Sequence, residues 1–302
     1  MSATQVRIVF ATFFMALLAN CASLNIDLPA VTESPGGERL PGKIIWHDLL
    51  TNDLAASQAF YGELFGWEFD NIGVAAGLKS DSAYSLIRHN GMLIGGMIDT
   101  LAVNGRVDIS QWVVSMSVSD IDAAVAAVTA AGGDVITPPT DLQRRGKIAV
   151  VRDAEGALLA LLQTVSGDPL DRRPEFGDFL WNELWTTNVA GATTFYENLS
   201  GLNMATWDVD DDQESGATYR LLKAGETPRV GIMPNPLEDL GPVWVSYLRV
   251  KSPASVAARV ADLGGRVIVE ARPRPLGGEV AFIAGPSGAG IALQTWPLDR
   301  AN

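Results

Sequence analysis

Metal-assisted and nucleophilic chemistry both need nitrogen, oxygen or sulfur side chains at usable spacing. In 302 residues this chain offers two histidines, His47 and His89, and one cysteine, Cys21. His47 stands beside Asp48 at the end of an apolar run, "IIWHDLLTND". Whether it is a metal ligand depends on which way its side chain points. A lone cysteine allows no internal disulfide and no cysteine pair for metal or redox work. The stretch "WDVDDDQESG" gathers Asp208, Asp210, Asp211, Asp212 and Glu214. Oxygen-rich loops can take calcium, but this one lacks the glycine and spacing of an EF-hand and reads as a solvated loop. No phosphate loop, dinucleotide fingerprint or Ser-His-Asp set is present. A net charge of −13 repels phosphate backbones, so nucleic acid is not an expected partner.

Residues 1–20 carry Arg7 and then an apolar run from Ile8 to Ala19. The run is too short for a membrane span and reads as a signal peptide. It stops at Cys21, and Leu18-Ala19-Asn20-Cys21 resembles the lipobox of bacterial lipoproteins, with Asn20 where Gly, Ala or Ser is usual. That resemblance implies lipidation of Cys21 and membrane contact through this anchor alone. With Ala22 and Ser23 following, it implies an outer-membrane lipoprotein facing the periplasm; the alternative is a plain secretory signal and a periplasmic or secreted protein. Residues 21–41 have no sustained periodicity and contain Pro and Gly breaks, so they read as a tether, with the fold starting near Gly42.

The elements that must position any site occur twice. Trp46 is answered by Trp181, Phe60-Tyr61 by Phe195-Tyr196 and Gly66 by Gly201, all at an offset of 135. Further on, Gly132-Gly133 is answered by Gly264-Gly265, and Gly156 by Gly288. Self-similarity of this length means two copies of one module, 42–166 and 175–298, joined through "SGDPLDRRPEFGD". Each copy opens with an apolar strand, a helix capped by Asp53 or Asn188 and ended by Gly66 or Gly201, and further short strands. A second strand–helix–strands unit follows. The fold class is α+β: two tandem modules, each a paired βαβββ unit with a curved mixed sheet and helices on its outer face.

This order, with "TND…FY…LFGW", the "AAGG" helix end and the "DAEG" hairpin, resembles the vicinal oxygen chelate superfamily of glyoxalase I, bleomycin-resistance proteins and extradiol dioxygenases. The resemblance covers about residues 42 to 297 and is similar to two-module glyoxalase-like proteins. It implies metal ligands on four strands of each cup, the first seven residues before the helix-capping Asp. In this chain those positions are Trp46 and Trp181, then "LIGGMI" and "RVGIMPN", then Val113 and Val245, then Ala160 and Ala292. None supplies an acid, His or Gln, so no metal and no cofactor is expected. Strand alternation turns His47 away from the cup, as it does its counterpart Asn182, and makes it a structural histidine. His89, before a turn, is expected to be exposed.

The same alternation brings Trp46, Asp48 and Ser115 into the first cup, and Trp181, Glu183, Trp185, Tyr247 and Arg249 into the second. Arg249 either holds an acidic group on a ligand or pairs with Glu183. The Trp residues either line a site or fill a core. The expected function is binding of a small, partly aromatic molecule in the cell envelope, with the second cup as the better candidate. The alternatives are a metal-dependent lyase or dioxygenase with displaced ligands, and an envelope scaffold.

Overall fold

The computed structural model describes residues 27–72, 84–101, 110–206, 219–237, 240–274 and 277–295. The signal stretch, Cys21 and the acidic 208–214 stretch lie outside them. Module 1 runs β1 (Ile44–Thr51), α1 (Leu54–Phe65), β2 (Glu68–Ile72), β3 (Tyr84–His89), β4 (Met92–Asp99), β5 (Gln111–Ser117), α2 (Ile121–Ala130), β6 (Asp134–Asp141), β7 (Gly146–Arg152) and β8 (Leu158–Thr164). Module 2 repeats it as β9 (Phe179–Thr186), α3 (Val189–Ser200), β10 (Asn203–Thr206), β11 (Arg220–Ala224), β12 (Thr227–Pro234), β13 (Val243–Arg249), α4 (Pro253–Val260), β14 (Arg266–Pro273), β15 (Glu279–Ala284) and β16 (Gly290–Gln294). Among these helices none is long and apolar enough to cross a membrane.

Local chemistry sets the helix ends. Asp53 Oδ1 accepts from Ala56 N at 2.9 Å, and Asn188 Oδ1 from Gly191 N at 3.0 Å. Both helices stop at a left-handed glycine, Gly66 (φ 73°) and Gly201 (φ 71°).

Each module closes one eight-stranded sheet, in the order β2-β3-β4-β1-β5-β8-β7-β6 and β10-β11-β12-β9-β13-β16-β15-β14. β1 and β9 hold the same place, parallel to one neighbour and antiparallel to the other. β2, β6, β10 and β14 have no counterpart among the strands legible in sequence, and they are the four sheet edges. Edge strands are half-solvated and tolerate proline, as Pro138 and Pro139 in β6 illustrate, so their pattern is weak.

The convex faces of the two sheets pack on each other with the helices between them. Phe60 and Tyr61 of α1 share a core with Leu248, Val260, Ile283 and Leu293 of module 2. Ile121 and Val128 of α2 share another with Phe195, Tyr196, Leu184 and Trp244. Trp112 Nε1 donates to Tyr61 Oη at 3.1 Å, and Trp244 Nε1 to Tyr196 Oη at 3.0 Å, so the Tyr of each Phe-Tyr pair gives a buried indole its partner. The concave faces look outward and form two cups, each with its own cluster of side chains.

Candidate functional site

The second cup is built from β9, β11 and β13. Alternation puts Trp181, Glu183 and Trp185 on the concave face and Asn182 and Leu184 on the other. Glu183 is fully buried. A buried carboxylate needs donors and a countercharge, and this one has both. Tyr219 Oη donates to Oε1 at 2.7 Å, Trp185 Nε1 to Oε2 at 3.3 Å, and Tyr247 Oη and Arg274 Nη2 also donate to it. Trp181 Nε1 donates to Tyr219 Oη at 2.8 Å. Arg274 lies 5.0 Å from the Tyr247 ring centroid and also donates to Gln294. Burial opposes its charge, but the Glu183 carboxylate outweighs that and raises its pKa. Burial and then the Glu183 charge push both tyrosines well up, so they stay protonated donors.

The first cup carries the same constellation. Trp46 Nε1 donates to Asp48 Oδ1 at 3.0 Å and Tyr84 Oη donates to the same oxygen at 2.8 Å. Arg145 Nη1 donates to Tyr84 Oη at 2.8 Å, and its guanidinium lies 4.4 Å from the Trp46 ring centroid. Burial raises the Asp48 pKa, with Arg145, Tyr84 and Trp46 opposing. Trp46, Asp48, Tyr84 and Arg145 thus answer to Trp181, Glu183, Tyr219 and Arg274. Tyr84 and Tyr219 keep the offset of 135 and were open to sequence reasoning. Arg145 and Arg274 were not, because they stand at different places in their hairpins, Arg145 just before β7 and Arg274 just after β14, and so do not occupy matching positions in the repeat.

The two cups differ in what fills them. Leu28 and Val31 are buried in the first, within the cluster of Trp46, Tyr84 and Leu162. Arg145 Nε donates to Pro29 O at 2.9 Å. The described part of the 21–41 tether therefore packs onto module 1 rather than hanging free. Its apolar residues, too few for a periodic pattern, had a cup to enter.

The second cup instead adjoins a cavity of about 490 Å³ between the modules. Trp181, Tyr219 and Arg274 form its wall on the cup side, Ile44 and Leu93 its wall on module 1, and Leu170 lies on the connecting segment. Lys43, Arg172, Arg229 and Arg274 line it, and each is paired, Lys43 and Arg229 with Asp171, Arg172 with Asp178 and Arg274 with Glu183, so four cations meet three acids and an excess of one positive charge is left. Asp171 binds Lys43 at 2.9 Å and Arg229 at 2.7 Å, and the Arg229 bond, aided by Lys43, lowers its pKa to about 2.

Other residues fall as follows. Ser115 lies in the first cup, opposite Trp46. Trp185 packs on Phe282, and Tyr247 is beside it. Arg249 leaves the cup: the strand ends there, Nη1 donates to Pro174 O, and the guanidinium sits 4.6 Å from the Phe176 ring centroid. Its expected pairing with Glu183 is made by Arg274. His47 faces the other module, with Nε2 3.0 Å from Asn182 Oδ1 and its ring stacked on Phe179 at 3.6 Å. Its partner is a side-chain amide. His89 is buried, not exposed: Oδ1 of Asp178, just before β9, lies 2.7 Å from its Nδ1.

A metal does not fit the family positions. Trp46, Val113 and Ala160 all lie in the first cup, and Val245 and Ala292 in the second. On the remaining strands stand Gly96 and Gly231, where an added Cβ would collide with the hydroxyls of Tyr84 and Tyr219. Transition metals need several N, O or S ligands, and the one acid in each cup is already engaged. Among the described residues no group of three His, Cys, Asp or Glu side chains could hold a metal ion.

A family model described as glyoxalase/bleomycin resistance protein/dioxygenase superfamily matches residues 43–161. A putative glyoxylase of Mycobacterium tuberculosis, CFP32, is 32% identical over 246 residues, 81% of this chain and 91% of the relative. The anthracycline biosynthesis protein DnrV of Streptomyces peucetius is 30% identical over 277 residues, 84% of this chain and 93% of the relative. The Mn(II)-bound glyoxalase from Novosphingobium aromaticivorans has a TM-score of 0.54 at 17% identity, covering 84% of this chain and 82% of that one. The 2,3-dioxygenase LapB from Pseudomonas sp. KL28 gives 0.55 at 12%, covering 86% and 93%. At those identities the structural likeness is one of fold.

Proposed function

The chain belongs to the glyoxalase/bleomycin resistance protein/dioxygenase superfamily, and we propose that it binds a small anionic aromatic molecule beside its second cup, without a metal ion. The observation that carries this reading is the contrast between the cups. One is filled by Leu28 and Val31, while the other adjoins a cavity of about 490 Å³ with Trp181, Tyr219 and Arg274 in its wall. Cavities of this size with aromatic walls and a few convergent polar groups suit small molecules. The excess of Lys and Arg favours an acidic group on the ligand. The relative from Streptomyces is named for anthracycline biosynthesis, which agrees with an aromatic ligand class. The signal run and Cys21 support a role in the cell envelope, as sequestration, sensing or delivery.

A lyase or dioxygenase with displaced ligands would have to recruit donors from His47, which is engaged with Asn182, or from the carboxylates Asp48 and Glu183. Both carboxylates are held by Tyr and Trp donors, with Arg145 or Arg274 as the nearby cation.

The experiment is a fluorescence titration of the full chain with anilinonaphthalene sulfonate, an anionic aromatic probe. Leu170 is 64% exposed and Pro228 is also exposed, and both line the cavity. Leu170→Trp and Pro228→Trp should fill it without disturbing the core and weaken binding at least tenfold. Unchanged affinity in both variants would overturn the assignment of the site.

A further inference from the structure

The first cup holds polar groups that its present filling does not satisfy. Arg145 is 2% exposed, yet its Nη2 has no hydrogen-bond partner among the described residues. Ser115 Oγ and Thr137 Oγ1 are buried and equally without one. Ser115 lies opposite Trp46, and Thr137 pairs with Val150 of the same cluster, so both face this cup. Buried donors are normally satisfied, and an orphan is costly. A site that keeps several is built for something other than two aliphatic side chains.

What the N-terminal segment puts into the cup has the outline of a ligand. Leu28 and Val31 supply apolar bulk, and Pro29 supplies one acceptor oxygen, to Arg145 Nε. Its other attachments are slight. Leu28 N reaches Leu142 O at 3.3 Å, and the ion pairs Asp27–Arg144 and Glu33–Arg88 lie at the surface, where such pairs contribute little. The firm anchor comes later, where Gly36 N donates to Asp168 O and Asp168 N to Glu38 O. Glu33 and Ser34 are exposed and outside any strand, and Pro35 opens the anchor by bridging Pro169, so the plug can swing out about residues 33–34 without breaking a strand.

We propose that the first cup is a second binding site, for a small apolar molecule bearing a carboxylate or sulfonate, closed in this state by residues 27–31 acting as an internal stand-in for that ligand. The anionic group would take the place of Pro29 O at Arg145 and recruit Nη2 with the Ser115 or Thr137 hydroxyl. Its apolar part would take the places of Leu28 and Val31 against Trp46 and Leu162. The ligand class rests on the reading given for the second cup, whose Trp-acid-Tyr-Arg constellation is the same; the plug does not depend on it.

The test counts probe sites on the full chain with anilinonaphthalene sulfonate. Wild-type protein should bind one equivalent, at the open cavity. The double variant Leu28→Ser/Val31→Ser, which weakens the plug, should bind two, and adding Pro228→Trp should return it to one. A folded double variant that binds no more probe than wild type would overturn the proposal. No binding to wild type with one equivalent on the double variant would sink the reading of the second cup and leave this one standing. Should the double variant not fold, hydrogen exchange on wild-type protein decides. That exchange is read without probe: exchange of the Leu28 amide, bonded to Leu142 O, faster than that of the Gly36 and Asp168 amides supports a plug that opens apart from its anchor, and equal exchange overturns it.

Discussion

His47 Nε2 lies 3.0 Å from Asn182 Oδ1, and the two residues hold the same place in the two repeats, 135 positions apart. Contact between repeat-equivalent residues puts the approximate two-fold axis of the molecule between them. An amide oxygen only accepts, so Nε2 carries the proton. Ser246 Oγ donates to the same oxygen at 3.1 Å. His47 is therefore part of the joint between modules, which answers the question its neighbourhood raises in the sequence.

Burial at that joint pushes the His47 pKa down to about 4, with the Asn182 bond opposing. A histidine in the unfolded chain titrates near 6.5, so the unfolded state takes the proton first as pH falls. The stability this neutral histidine allows is complete above about pH 6.5 and is lost between there and pH 4. From pH 7 to pH 5 the loss should be about 2 kcal/mol. Urea unfolding of wild type and His47→Gln at both pH values measures it as the difference between their pH dependences; equal dependence would contradict it.

Glu183 and Arg274 are buried together, and removing one leaves the other uncompensated. Glu183→Ala should cost about 3–5 kcal/mol. The double change Glu183→Leu/Arg274→Met should cost less than the two single changes added together, because no charge is stranded. A denaturation cycle that comes out additive would show that the pair is not coupled.

Gly96 and Gly231 do not need a positive φ. They are glycine because Tyr84 and Tyr219 occupy the space a Cβ would fill. Gly96→Ala and Gly231→Ala should each destabilise by about 1–3 kcal/mol through overpacking. Gly231→Ala should also weaken probe binding, since Tyr219 lines the cavity. Thermal unfolding checks the first point and titration the second.

Much of the architecture was legible because helix ends and strand alternation are local. Asp53, Asn188, Gly66 and Gly201 cap their helices as residue type dictates, and alternation placed Trp46, Glu183 and Tyr247 in cups and His47 outside. The failures come where distant chain intervenes. Arg249 keeps the parity of Tyr247, but Pro174 and Phe176 cross the end of its strand and draw it off. Arg145 and Arg274 enter from loops with no periodicity to read. Leu28 and Val31 look like tether residues until a cup is present to receive them. His89 sits before a turn, the usual exposed place, yet the inter-module segment folds over it and supplies Asp178.

The central claim is metal-free binding of an anionic aromatic molecule beside the second cup. It is tested most directly by titrating the full chain with anilinonaphthalene sulfonate before and after exhaustive treatment with a chelator. The account predicts one site of the same affinity in both titrations. Binding that disappears with the chelator and returns with a divalent transition metal would contradict it.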